Sequence, residues 1–301
     1  FPGQGSQVVG MGRAVCEASD EARAVFALAD ATLGEPLSRL CFEGPEETLM
    51  LTANTQPAVL TNSVALLRAL GEKPDVTAGH SLGEYTAHVC AGTLRFEDAV
   101  RLVRLRGTFM QEAVPVGVGA MAAIIKLDDE IVERVCAQTD GIVEAVNYNA
   151  PGQVVIAGEA AAGAAASEAI KARNGRAMPL PVSAPFHCQM MRPAEDRLSH
   201  ELVGIPMSDP SVPVYVNVDA SAVRDAESAR DALRRQVSRP VRWTSSVRLM
   251  IEDGVSLFVE IGAGAALKGM IRRIDRSATV LNVSGPGDLE AARGAIRERR
   301  G

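Results

Sequence analysis

The sequence predicts an α/β protein: a larger body on a mostly parallel sheet, with a smaller unit inserted in its middle. Three observations carry this. Short apolar runs alternate with helix-period segments along most of the 301 residues, the pattern of strands covered on both faces by helices. Between residues 119 and 182 the order changes to strand, helix, strand, strand, helix, strand. One strand-to-helix junction reads Gly79-His80-Ser81-Leu82-Gly83, the G-x-S-x-G form of a sharp turn that exposes a serine.

Composition narrows the class. A length of 301 residues allows one large domain or two ordinary ones. Hydrophobic residues make up 47% and charged residues 23%, the balance of a soluble protein with a large core. Aromatics are only 4%, and the abundant alanine and valine suit helices packed on a parallel sheet. No apolar run is long enough to cross a bilayer, and no signal peptide opens the chain, so no membrane partner is expected. A net charge of −6 argues against nucleic acid. Cys16, Cys41, Cys90, Cys136 and Cys188 are odd in number and contain no C-x-x-C pair. That excludes a disulfide framework and a thiolate zinc site, and it favours a reducing cytoplasm. Phe1 already lies inside a glycine-rich turn, so a first strand is expected ahead of it.

Helical periodicity covers 21–33, 56–70 and 96–112, with loops at Gly44-Pro45 and Lys73-Pro74. Residues 75–78 read as the strand entering the serine turn and 82–91 as the helix leaving it. In the middle, 119–127 is a strand and 128–138 a helix with an acidic first turn. Residues 142–148 and 153–157 are strands joined by Asn149-Ala150-Pro151-Gly152, 159–173 is an alanine-rich helix and 177–182 a strand. This βαββαβ order is that of a ferredoxin-like unit, here spanning 117–184 between body segments 1–116 and 185–301. Beyond it come helix 190–202, strand 212–218, helices 226–237 and 243–252, and strand 255–261. A basic helix 266–276, strand 278–283 and a surface helix 288–300 complete the chain.

A serine hydroxyl needs a base within hydrogen-bond reach. Of four histidines, His80 adjoins Ser81, and neighbouring side chains at such a turn point apart. His88 and His200 read as packing or surface residues. His187 follows a strand end in Val182-Ser183-Ala184-Pro185-Phe186-His187, where parallel-sheet folds gather catalytic groups. No acid follows in a strand-end loop to orient it, which leaves a backbone carbonyl for that task. Backbone N–H groups of the turn Phe1-Pro2-Gly3-Gln4-Gly5, together with that of Leu82, suit an oxyanion hole. The turn is not a nucleotide P-loop, and Gly262-Ala263-Gly264 fails the dinucleotide pattern. Arg101, Arg104 and Arg106 crowd one helix. An arginine there is ordinarily a solvated face, but one turned inward would hold a carboxylate through two hydrogen bonds.

With these pieces together the chain resembles the malonyl-CoA:acyl carrier protein transacylases of fatty-acid and polyketide synthesis. The resemblance rests on Phe1-Pro2-Gly3-Gln4-Gly5-Ser6-Gln7, Gly79-His80-Ser81-Leu82-Gly83-Glu84-Tyr85 and Arg106-Gly107-Thr108-Phe109-Met110-Gln111-Glu112-Ala113. It continues through Asn147-Tyr148-Asn149-Ala150-Pro151-Gly152-Gln153-Val154, Pro185-Phe186-His187-Cys188 and Pro240-Val241-Arg242-Trp243-Thr244. It implies a hydrolase-like body carrying the ferredoxin-like insert, with the site in the cleft between them.

Position by position, it implies Ser81 as the acylated nucleophile and His187 as the base. Gln4 and Leu82 become the oxyanion donors, Arg106 the ligand of the malonyl carboxylate, and Gln236 the residue whose main-chain carbonyl orients the histidine. A Phe before the histidine, here Phe186, goes with malonyl over methylmalonyl selection. The implied partners are malonyl-CoA, as substrate, and acyl carrier protein, with no cofactor or metal. Lys268, Arg272, Arg273 and Arg276 form a basic stripe that is either a solvated face or a docking strip for that acidic protein. The rivals are a serine hydrolase on a related turn and a non-catalytic docking domain of a multienzyme. The short flanks lean towards a free-standing enzyme.

Overall fold

Helix ends, strand lengths and side-chain alternation together decide how this chain packs. The computed structural model describes residues 1–182 and 184–300; Ser183, in the segment read as a strand end, and Gly301 lie outside the described residues. After an opening turn come α1 (Arg13–Ala18), α2 (Asp20–Leu33), α3 (Leu37–Glu43), α4 (Glu46–Leu49) and α5 (Thr52–Leu70). The Ser19 side chain caps α2 by accepting from the Ala22 N–H, one of the donors that a helix start leaves without an internal partner. The short helices α1, α3 and α4 are not apparent in the sequence, because three or fewer turns leave little periodicity. Helix α5 starts four residues earlier than the periodicity indicates and carries Pro57 inside it. A proline is best tolerated in the first turn of a helix, where the periodicity places it; the added turn puts it in the second. This helix is buried along most of its length and packs against α2 and, further on, α6 (Leu82–Cys90) and α7 (Phe96–Glu112). Strand β1 (Thr77–Ala78) leads into α6.

The inserted unit follows as β2 (Gly119–Ile125), α8 (Asp129–Gln138), β3 (Val143–Ala150), β4 (Gln153–Glu159), α9 (Ala160–Lys171) and β5 (Arg176–Pro179). Its sheet runs β3-β4-β2-β5, every neighbour antiparallel. The two-residue alternation of a strand divides its side chains between two cores. Ala122, Ile124, Val154 and Ile156 face α8 and α9. Met121, Val155 and Ala157, one residue out of phase, join the core of the body. The sheet is therefore apolar on both faces.

The body resumes with α10 (Arg192–Gly204), β6 (Val214–Val216), β7 (Ser221–Val223), α11 (Ala226–Gln236), α12 (Trp243–Glu252), β8 (Leu257–Ile261), α13 (Ala266–Ile274), β9 (Thr279–Val283) and α14 (Leu289–Arg300). Its pairing is parallel for β1–β6 and β8–β9, with β6–β7 an antiparallel hairpin that the sequence did not foretell. One mostly parallel sheet was expected; among the described residues the strands form two short sheets instead. A cavity of about 470 Å³ is lined by Val76 and Ala78 from one side and Leu257 and Val259 from the other. Strand β1 is also shorter than expected, as Asp75 and Val76 stay outside it. Helix α13 ends at Ile274, so Arg276 does not extend the basic stripe of Lys268, Arg272 and Arg273.

Backbone hydrogen bonds at Val241 help tie insert to body: Val241 N–H donates to the Val146 carbonyl at 2.8 Å, and Tyr148 N–H to the Val241 carbonyl at 2.9 Å. At the other end of β1, space is the constraint. A Cβ on Gly79 would lie 1.9 Å from the Gly83 carbonyl carbon and oxygen. Gly79→Ala is accordingly expected to cost about 1–3 kcal/mol of stability in a denaturant melt. A variant as stable as the parent would contradict this packing.

Candidate active site

The bend after β1 is built by glycines that let three backbones touch. Besides the Gly79 contact, a Cβ on Gly83 would sit 2.1 Å from the Phe1 carbonyl oxygen, and one on Gly3 would sit 2.4 Å from that of His80. The opening turn is thereby pressed onto the serine turn, with the His80 N–H donating to the Phe1 carbonyl at 3.0 Å. Ser81 itself has φ 51° and ψ −109°, a conformation that costs a residue with a Cβ about 1–3 kcal/mol and clusters at functional sites.

That turn delivers the Ser81 hydroxyl to His187. Oγ lies 2.7 Å from His187 Nε2, and His187 Nδ1 lies 2.8 Å from the Gln236 carbonyl oxygen. A carbonyl only accepts, so Nδ1 carries the ring proton and Nε2 is bare to accept from the serine. The orienting group is thus a backbone carbonyl at the C-terminal end of α11.

Arg106 projects inward from α7 and is 1% exposed. Its Nη2 donates to Ser81 Oγ at 3.2 Å and to Gln236 Oε1 at 2.9 Å, and its Nη1 to Gln56 Oε1 at 2.8 Å. The guanidinium carbon lies 5.3 Å from the centre of the Tyr85 ring, a favourable position for a cation. Among the described residues it forms no ion pair; its partners are neutral amides and a hydroxyl. The other two arginines go elsewhere: Arg101 is exposed and loosely paired with Asp98, and Arg104 pairs with Glu35 and Asn54.

Burial and this cation set the titration of the site. Burial first, and the Arg106 charge second, push His187 down to about 3. The imidazole is therefore neutral, and fit to act as a base, far below the usual histidine range. Burial lowers Arg106 from its ordinary value, which leaves a guanidinium charged. Burial also raises Glu84, on α6, to about 7.

The remaining candidates are placed as follows. Gln4 lies in the pressed turn, its side chain donating to Thr52 Oγ1 at 3.2 Å. Leu82 is the first residue of α6, where an N–H has no acceptor within the helix. Phe186 is buried in the main core beside His187. His80 turns away from Ser81, its Nε2 2.8 Å from Asn149 Oδ1 in the insert. His88 is wholly buried and His200 exposed. Sequence reasoning missed Gln56, Asn217 and the side chain of Gln236. An amide that only positions other groups belongs to no motif and carries no periodic signal. No group of three His, Cys, Asp or Glu suited to a metal ion occurs among the described residues.

Comparison with known proteins agrees with a mixed α/β fold of this kind. Residues 1–286 match the model of the acyl transferase domain family. The chain is 49% identical over 299 residues to the malonyl CoA-acyl carrier protein transacylase of Escherichia coli (strain K12), 97% of each being covered. It is 45% identical over 306 residues to that of Bacillus subtilis (strain 168), covering 99% of this chain and 96% of the other. Among solved structures, it superposes on a malonyl-transacylase in complex with its type II PKS acyl-carrier protein. The TM-score there is 0.96 at 46% identity, with 98% of each chain covered. The acyl-carrier-protein S-malonyltransferase of Burkholderia pseudomallei 1710b gives 0.95 at 46% identity and the same coverage.

The depressed His187 has a measurable consequence. Labelling of Ser81 by a fluorophosphonate, followed against pH, is expected to show no acid limb near the ordinary histidine value of 6.5. Removing the cation in Arg106→Ala takes away one of the causes that lower it, so any acid limb moves to higher pH. A limb near 6.5 in the parent, or one unmoved in the variant, would refute the assignment of the shift.

Proposed function

The chain belongs to the acyl transferase family, and we propose that it moves a malonyl group from malonyl-CoA to the phosphopantetheine thiol of acyl carrier protein. The group is carried as an ester on Ser81, in fatty-acid synthesis, with polyketide synthesis the alternative pathway. The relatives' names support the donor and acceptor. The observation that carries the reading is the Arg106 guanidinium, buried without a carboxylate partner 3.2 Å from the Ser81 hydroxyl. A buried charge lacking its counter-ion is costly, so this site favours an acyl group that brings its own anion.

Ser81 Oγ attacks the thioester carbonyl as its proton passes to His187 Nε2. The oxyanion that forms accepts from the N–H groups of Gln4 and Leu82. Collapse breaks the C–S bond, and the coenzyme A sulfur leaves with the proton held by His187. The carrier thiol then attacks the ester carbonyl, giving its proton to His187, which returns it to Ser81 as the C–O bond breaks. Through this cycle Arg106 holds the far carboxylate and fixes the ester relative to the incoming thiol. The Gln236 carbonyl keeps the imidazole in the tautomer that accepts at Nε2.

The same reading takes residues 1–116 and 185–301 as a hydrolase-like body and 117–184 as a ferredoxin-like insert, supported by the β3-β4-β2-β5 order and the serine turn. Nucleophile, base and cation all come from the chain itself, so the reading assigns no cofactor. A cytoplasmic location is supported by five free cysteines and by the lack of a helix long and apolar enough to cross a membrane among the described residues.

Intact mass after treatment with malonyl-CoA should rise by one malonyl ester, and Ser81→Ala should abolish the rise. Losing a desolvated charge pair costs about 2–5 kcal/mol, so Arg106→Ala should lose that much of malonyl transfer while accepting acetyl-CoA. An unchanged malonyl-over-acetyl preference would defeat the reading. Phe186 fills space beside the base that an α-methyl branch would need. Phe186→Ser should shift the malonyl-to-methylmalonyl ratio by about 1–3 kcal/mol; no shift would remove Phe186 from selectivity.

A further inference from the structure

We propose that Asn217 is a positioning residue: its carboxamide holds the strained backbone of the serine turn and so sets where the Ser81 hydroxyl lies. The proposal rests on Ser81 being the nucleophile.

Strands β1 and β6 pair in parallel at Thr77 with Val214 and Ala78 with Tyr215. There the ladder ends, because the chain must swing from Gly79 into α6. The swing takes the Gly79 carbonyl and the Ser81 N–H out of reach of any strand, and buried backbone groups need partners. Asn217, the first residue after β6, supplies both. Its Nδ2 donates to the Gly79 carbonyl at 2.7 Å, and its Oδ1 accepts from the Ser81 N–H at 2.7 Å. A carboxamide offers the same donor and acceptor as a peptide group, so this side chain continues the sheet across a bend that no strand can follow. The two backbone partners also fix which end of the amide is oxygen.

Asn217 is itself held on every side. It is wholly buried. Its N–H donates to Glu84 Oε2 at 2.7 Å, its carbonyl accepts from the Arg242 N–H at 3.0 Å, and its Oδ1 also accepts from Gln236 Nε2 at 3.4 Å. Glu84 stands on α6, three residues beyond Ser81, so the entry and apex of the turn meet the Asn217 side chain and its exit meets the Asn217 backbone. The position of Oγ, 2.7 Å from His187 Nε2 and 3.2 Å from Arg106 Nη2, depends on Ser81 keeping φ at 51°. Ordinary residues avoid that region. Without the Asn217 bonds the turn relaxes and Oγ leaves the point shared by base and cation.

The test compares Asn217→Ala and Asn217→Asp with the parent. Three things are measured: the fluorophosphonate labelling rate of Ser81, kcat and KM for malonyl-CoA, and the melting temperature. Asn217→Ala is expected to lower both labelling and kcat by about a hundredfold, the scale of a misplaced reacting group, while KM holds, since substrate binding is untouched. Asn217→Asp keeps the shape and the acceptor for the Ser81 N–H but, ionised at alkaline pH, offers no donor to Gly79. It should fall between the two. A folded Asn217→Ala protein that labels at the parent rate overturns the proposal. If that variant does not fold, Asn217→Asp decides, and parental labelling at alkaline pH overturns it equally. Labelling reads the turn whatever the acyl group, so failure of the parent to take malonyl would count against the functional reading alone.

Discussion

The structure depends on keeping a cation dry beside the Ser81 hydroxyl. Bringing a guanidinium out of water costs several kcal/mol, and the site offsets it with neutral groups: the carbonyl oxygens of the Gln56 and Gln236 side chains and the face of Tyr85. Charge-assisted bonds of this kind contribute about 1.5–3 kcal/mol each. They stabilise the charge without cancelling it. The uncancelled field then acts on its neighbours. It adds to burial in holding His187 neutral, and it tempers the rise that burial imposes on Glu84. A carboxylate in the place of either glutamine would close the guanidinium off as an internal ion pair and leave it nothing to recognise.

Gln236 is where the parts meet. Its backbone carbonyl accepts a hydrogen bond from His187 Nδ1–H, its side-chain oxygen accepts one from Arg106, and its side-chain nitrogen donates to the Ser81 carbonyl at 3.0 Å. His187, Arg106 and the serine turn are therefore referenced to one residue at the end of α11. Five residues on, Val241 bonds the edge strand β3 of the insert. The four-stranded sheet and the site share this strut.

Much of this was legible in the sequence, and the reasons differ by residue. Ser81 is visible because the bend that exposes it demands glycine on both sides, and those glycines are the contacts that a Cβ would destroy. His187 stands out by elimination among four histidines. Arg106 could not be separated from Arg101 and Arg104 by spacing alone; the run of matching residues around it made the choice, and the fold turns that one inward. The βαββαβ unit was legible because each strand keeps its two-residue alternation. What escaped were Gln56 and Asn217, whose meaning comes wholly from partners 50 and 136 residues away. The split of the body's strands into two short sheets also escaped, since periodicity reports strands and not which edges meet.

On the proposed function, the buried guanidinium grips the far end of an acyl group esterified to Ser81. A crystal structure of the enzyme trapped after treatment with malonyl-CoA would show this. Density is expected for the ester on Oγ, with its free carboxylate in two hydrogen bonds to Arg106 and the Gln236 side chain displaced from that nitrogen. An ester whose carboxylate points to solvent, with Arg106 still held by Gln56 and Gln236, would contradict it.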